Sequence, residues 1–65
     1  MKLSIPDMTC GHCKAVVERT IIDLDSKADV VVDIAAHTAE VATTATPEAI
    51  LTALKAEGYP AERIA

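Results

Sequence analysis

Residues 28–43 read Ala28-Asp29-Val30-Val31-Val32-Asp33-Ile34-Ala35-Ala36-His37-Thr38-Ala39-Glu40-Val41-Ala42-Thr43. Val30, Val32 and Ile34 fall two apart, and β-branched side chains dominate the first half. Alternation of period two sends successive side chains to opposite faces and predicts a strand over Ala28–Ile34. Ala39–Thr43 alternates again, and Ala35–Thr38 between them has turn character. The stretch is therefore a hairpin.

Working outward, the hairpin is flanked on each side by a helix. Before it, Cys13, Val17, Ile21 and Leu24 recur at helical spacing from about Gly11 to Leu24. Lys14, Glu18, Arg19 and Asp23 occupy the other faces, and Asp25-Ser26 breaks the pattern. After it, Thr46 is placed as an N-cap, Pro47 suits the first turn and Glu48 complements the helix dipole. Ile50, Leu51 and Leu54 form the apolar stripe, Gly58 ends the helix and Pro60 blocks its continuation. Outermost are a short strand over Lys2–Pro6, with Leu3 and Ile5 on one face, and a last strand over Ala61–Ile64. The order βαββαβ is the split βαβ arrangement of an α+β, ferredoxin-like sandwich. It predicts a four-stranded antiparallel sheet with two helices on one face, in a single domain spanning residues 1–65.

Size restricts what such a domain does. The chain has 65 residues, no Trp or Phe and one Tyr, and a chain this short buries only about 60% of its unfolded surface. The bulky core candidates are Leu3, Ile5, Val17, Ile21, Leu24, Val30, Val32, Ile34, Val41, Ile50, Leu51, Leu54 and Ile64. They suffice for one two-layer core and leave little room for a substrate cleft, so an enzyme is not expected. A net charge of -4, without a Lys or Arg run, argues against nucleic acid. No stretch approaches the roughly 20 apolar residues that span a bilayer, and the first residues lack the apolar run of a secretory signal. The expected location is cytoplasmic, where a close cysteine pair is reduced and serves metal binding or catalysis rather than a disulfide. Met1 at the start and the absence of a trailing linker suggest a whole protein, not a domain of a larger transporter or reductase.

The chemistry lies in Met8-Thr9-Cys10-Gly11-His12-Cys13-Lys14, between the first strand and the first helix. Two thiols separated by two residues at a helix start can turn their sulfurs to one point. The positive end of the helix favours their ionisation, and Gly11 would allow a tight turn between them. Thiolates are soft ligands and suit Cu(I); the pair with one Cu(I) leaves a single negative charge for the helix end to stabilise. The spacing alone also occurs in zinc, iron–sulfur and thioredoxin-like sites. Structural zinc takes a tetrahedral set of protein ligands, and there is no second cysteine pair. His12 lies between the cysteines and points away, and His37 sits on the hairpin turn. Iron–sulfur clusters fail on the same ligand count unless a dimer supplies the rest. The run Cys10-Gly11-His12-Cys13-Lys14 also resembles the active site of protein disulfide isomerases, in which the N-terminal thiolate attacks. No aromatic residue precedes Cys10, and neither the length nor the element order suits a thioredoxin domain.

Met8-Thr9-Cys10-Gly11-His12-Cys13, followed by Val17-Glu18, Ile21 and Leu24, resembles the heavy-metal-associated domain. Val30, Val32, Ile50, Leu54 and Gly58-Tyr59 extend the resemblance over nearly the whole chain. Free-standing domains of this length resemble bacterial copper chaperones. The resemblance implies Cu(I) as cargo and, as partner, the metal-binding domain of a copper-exporting P-type ATPase or a copper-responsive regulator. It also implies a monomer, or a metal-bridged dimer. Cys10 and Cys13 are the implied ligands, Met8 the loop residue before them and Tyr59 the residue near the metal loop. Zn(II) or Hg(II) in the same fold, and thiol–disulfide exchange through the Cys-Gly-His-Cys pair, are the alternatives.

Two departures stand out. Asp7 replaces the Gly that usually precedes Met, placing a carboxylate near the site that would suit a harder ion. Ser26-Lys27 replaces Gly-Val before the second strand and leaves its register open. Other residues have plainer readings beside the functional ones. Met8 reads as packing beneath the loop rather than as a thioether ligand. His12 is either a third ligand, as in a copper-bridged dimer, or a solvated imidazole. Thr9 is the residue directly before the first ligand. Lys14 either helps neutralise the thiolates or is solvated, and with Lys2 could reverse the local sign of charge. His37 reads as a turn residue, and Glu18, Asp23, Asp25, Asp29 and Asp33 as a solvated surface.

Overall fold

A computed structural model describes all residues from Met1 to Ala65. The chain forms β1 (Lys2–Ser4), α1 (Gly11–Leu24), β2 (Asp29–Asp33), β3 (Thr38–Ala42), α2 (Pro47–Ala56) and β4 (Glu62–Arg63). The strands make one sheet in the order β2-β3-β1-β4, and every pairing is antiparallel. This is the ferredoxin-like arrangement expected from the element order.

Alternation decides which face of the sheet the helices cover. Leu3 pairs with Ala39, and Val30 pairs with Val41; Leu3, Ala39 and Val41 are buried with Ile5. Val17 and Ile21 of α1 and Ile50 and Leu54 of α2 close over them, with Met8 and Ala28 completing the core. Thr20 is buried among these apolar groups and satisfies its hydroxyl by donating to the Val16 carbonyl at 2.7 Å, so it carries no desolvation penalty.

Helix α2 starts and ends as its residues dictate. The Thr46 hydroxyl accepts from Ala49 N–H at 3.2 Å, with Pro47 in the first turn. At its other end Gly58 takes φ +88°. Gly58 N–H donates to Lys55 O at 3.0 Å and Tyr59 N–H to Leu54 O at 2.9 Å. This pair of bonds is a Schellman ending, which requires the left-handed residue that glycine supplies without steric strain.

Several expectations are corrected by the structure. β3 begins one residue earlier than Ala39, and β4 has two residues rather than four. Ile64 is 51% exposed: Arg63 lies opposite the buried Leu3, so Ile64, the next residue, faces the side without helices. Leu24, the last residue of α1, is 44% exposed. Val30 and Val32 are only half-buried on the outermost strand, and Ile34 lies in the following turn.

Asp25 is not a merely solvated charge. Its carboxylate accepts from Lys27 N–H at 3.0 Å, from the Thr43 hydroxyl at 2.7 Å and from Thr44 N–H at 3.2 Å. It thereby ties the turn after α1 to the segment after β3, and β2 pairs with Asp29 opposite Ala42. Asp33 similarly accepts from Ala36 N–H at 3.1 Å in the hairpin turn. These donors, the Thr43 hydroxyl foremost, hold the Asp25 carboxyl below its ordinary pKa of 3.8.

Two tests of this packing follow from the burial and the bonds. Ile21→Ala opens a cavity in the core and should lower stability by about 2–5 kcal/mol, whereas Leu24→Ala should lower it by less than about 1 kcal/mol, both read from urea unfolding. Because the Asp25 pKa is lower folded than unfolded, its stabilisation is complete above 3.8 and fades as pH falls through the folded value. Thermal melts should therefore show Asp25→Ala below wild type at neutrality, with the gap closing on acidification below 3.8.

Candidate metal centre

The two cysteines stand where the first strand hands over to the first helix. Cys10 is the N-cap of α1, in extended conformation, and Cys13 lies in the first turn. Lys14 N–H donates to the Cys10 carbonyl at 3.0 Å, starting the helical ladder. The result is a pair of free thiols whose sulfurs are 3.4 Å apart. Cys10 is exposed and Cys13 half-buried, so the pair opens to solvent from one end of the domain.

The surroundings favour ionised sulfur. The first turn of α1 contains no acidic residue, leaving its positive end to the sulfurs. The Cys13 thiol is lowered from 9.0 to about 7, chiefly by the Tyr59 hydroxyl, then by the Thr9 backbone N–H and the Cys10 thiol, against a smaller opposing effect of burial. Of these neighbours only the Cys10 sulfur is at closed contact distance; the hydroxyl and the amide act by proximity. The interaction is mutual: Cys13 is the main cause that raises the Tyr59 phenol, with burial next and the charges of Cys13, Cys10 and Asp7 adding to it. A hydroxyl that donates toward a thiolate stabilises both the ionised sulfur and its own protonated form. Tyr59 is delivered there by the Schellman ending of α2, and its ring packs partly against the core.

The remaining sequence candidates are distributed as follows. Met8 is fully buried in the core, beneath the loop. Thr9 and His12 are exposed and Lys14 is half-buried. Gly11 has no left-handed backbone, and a Cβ there would meet nothing within 4 Å, so the turn between the cysteines does not require glycine. Lys2 opens β1 and so stands at the end of that strand away from the loop. No third His, Cys, Asp or Glu gathers with the two sulfurs into a metal-holding cluster. The structure thus presents two soft donors and no more, which fits a soft ion of low coordination number.

One residue at this site was not legible from the sequence. The imidazole of His37, on the turn between β2 and β3, bonds the Met8 carbonyl through Nδ1 at 3.1 Å. His37 itself adopts φ +56°. A His in a hairpin turn is a local signal only for that left-handed conformation, which His visits more readily than most residues. Nothing nearby in the chain links it to a loop 29 residues away.

The chain matches the family model of the heavy-metal-associated domain over residues 2–60. It belongs to the heavy-metal-associated domain family. Among solved structures, this HMA domain is 41% identical to a gold binding protein, with 94% of each chain covered and a TM-score of 0.91. The copper chaperone Atx1 from Synechocystis, solved in a trimeric form, is 26% identical over 95% of this chain and 98% of its own, with a TM-score of 0.92. A heavy metal binding protein from Thermotoga maritima is also 26% identical, over 97% of this chain and 94% of its own, with a TM-score of 0.78. No curated protein matches the chain. The HMA domain is therefore copper-chaperone-like in fold, and no helix in it is long and apolar enough to cross a membrane.

The electrostatic pairing of Tyr59 and Cys13 is open to direct measurement. Residue-resolved alkylation of the reduced, metal-free protein across a pH series should place the Cys13 midpoint at about 7. Tyr59→Phe should move it upward, because the largest favourable neighbour of the thiolate is lost. An unchanged midpoint would remove Tyr59 from the site.

Proposed function

We propose that this HMA domain is a carrier of one Cu(I) ion, held between the Cys10 and Cys13 thiolates and passed on without catalytic turnover. The observation that carries the reading is the isolated sulfur pair: two thiols 3.4 Å apart at a helix start, with no third donor. Zn(II) prefers a tetrahedral ligand set, and the Asp7 carboxylate joins no such set. Thiol–disulfide exchange of the isomerase kind belongs to a thioredoxin domain, whose length and element order this βαββαβ chain does not have.

Delivery by ligand exchange suits a site at the end of the domain. A thiolate of the acceptor bonds the copper, giving a three-coordinate bridge, and one of Cys10 and Cys13 then leaves. Copper remains Cu(I) throughout, so no oxidant or reductant is needed. The acceptor suited to this reading is the metal-binding domain of a copper-exporting P-type ATPase, with a copper-responsive regulator as an alternative receiver, in the cytoplasm. The exposure of His12 supports it as an added ligand in a metal-bridged assembly. The likeness to a gold binding protein at 41% identity supports a second cargo, Au(I), which is also soft, monovalent and satisfied by two thiolates.

An anaerobic competition titration of the reduced protein against a chromogenic Cu(I) chelator tests the assignment. Wild type should remove one Cu(I) per monomer, and Cys10→Ala and Cys13→Ala should each fail. Retention of copper by either variant would break the ligand assignment. Parallel titrations with Au(I) and Zn(II) rank the cargoes, and tighter binding of Zn(II) than of both soft ions would overturn the soft-metal reading.

A further inference from the structure

We propose that His37 is the positioning residue of the metal loop, holding both ends of the Ile5–Met8 turn that brings Cys10 to its partner. This rests on Cys10 and Cys13 being the metal pair. The bonds form a closed set. Ile5 N–H donates to the His37 carbonyl at 2.7 Å, and Met8 N–H donates to the Ile5 carbonyl at 3.0 Å, closing the turn. The His37 ring then bonds the Met8 carbonyl at 3.1 Å. A carbonyl oxygen can only accept, so Nδ1 carries the proton and donates. One residue of the distant hairpin therefore grips the turn at its first and last positions, through its main chain and its side chain respectively.

The grip acts where the rest of the fold does not. Burial of the Met8 side chain fixes how deep the loop sits, but leaves the peptide that follows free to rotate. The His37 bond is made to the carbonyl of that peptide, between Met8 and Thr9. In a trans peptide the carbonyl and the N–H point in opposite directions, so holding the Met8 oxygen also fixes where Thr9 N–H points. That N–H is the backbone donor which favours the Cys13 thiolate. Thr9 is exposed and its side chain makes no hydrogen bond, and Cys10 makes no side-chain cap bond to the helix. The left-handed backbone of His37 is what turns ring and carbonyl toward the same loop. His37 joins no metal-holding cluster with the two sulfurs; its role is to pre-set the ligand geometry, as outer groups do around metal sites.

Two substitutions separate the side-chain bond from the backbone conformation. His37→Gly keeps the left-handed turn and the Ile5 contact but removes the ring. His37→Asn tolerates the same backbone and carries an N–H on the atom bonded to Cγ, as the ring nitrogen is. Amide hydrogen exchange of the metal-free protein and Cu(I) retention against the chelator are read together. We expect His37→Gly to speed exchange at Thr9 and Cys10 and to weaken Cu(I) retention by about tenfold or more, and His37→Asn to restore both toward wild type. Gly indistinguishable from wild type, or Gly and Asn impaired alike, would overturn the proposal. If His37→Gly does not fold, His37→Asp takes its place, since it fits the backbone but carries no N–H; equal behaviour of Asp and Asn would again be fatal. Should wild type fail to hold Cu(I) while loop exchange follows this order, the cargo assignment falls and the positioning role of His37 stands.

Discussion

The apolar face of β1 has to be buried, and the chain offers few places to bury it. Leu3, Ile5 and Met8 are all without solvent exposure, beneath Val17 and Ile21 of one helix and Ile50 and Leu54 of the other. In so small a domain there is no spare layer between core and surface. The core consequently runs from the middle strand straight into the metal loop and stops two residues short of Cys10. Packing energy that any two-layer domain needs for folding also sets the height of the loop. An interior this dense resists deformation, which is why an exposed cysteine can rest on a well-defined base.

Around that base the site draws on three separated parts of the chain. The start of α1 supplies the sulfurs, the hairpin turn supplies the His37 bond to Met8, and the end of α2 supplies Tyr59. Each brings its own local chemistry to the site. A helix start without acidic residues accepts thiolates, a left-handed His turns its ring inward, and a Schellman ending reverses the chain so that Tyr59 packs back. The balance suits a carrier. Neighbours that favour the thiolate would support binding, while exposure of Cys10 would keep a bound ion open to an incoming ligand.

Much of this was legible in the sequence because it depends on short spacings. The bounds of α1, the Thr46 cap, the glycine ending of α2 and the cysteine pair each depend on residues within a turn or two of one another. What escaped depended on register or on long separations. Leu24 and Ile64 have the right chemistry for a core, yet the end of α1 and the pairing of Arg63 with Leu3 turn them to solvent. Asp25 looks like any surface carboxylate until the segment after β3 folds back to offer Thr43 and Thr44, 18 and 19 residues away.

The sequence by itself determined the βαββαβ order, the sulfur pair at a helix start and the scarcity of further ligands nearby. These follow from periodicity, capping chemistry and composition, which act locally and need no knowledge of what lies across the fold. Only the tertiary structure decided that no distant His, Cys, Asp or Glu completes the pair, that Tyr59 bears on Cys13 and that His37 clasps the loop from the neighbouring hairpin. Those relations join residues tens of positions apart. They exist because antiparallel pairing of β1 with β3 brings the hairpin turn beside the metal loop, and no local pattern encodes that juxtaposition.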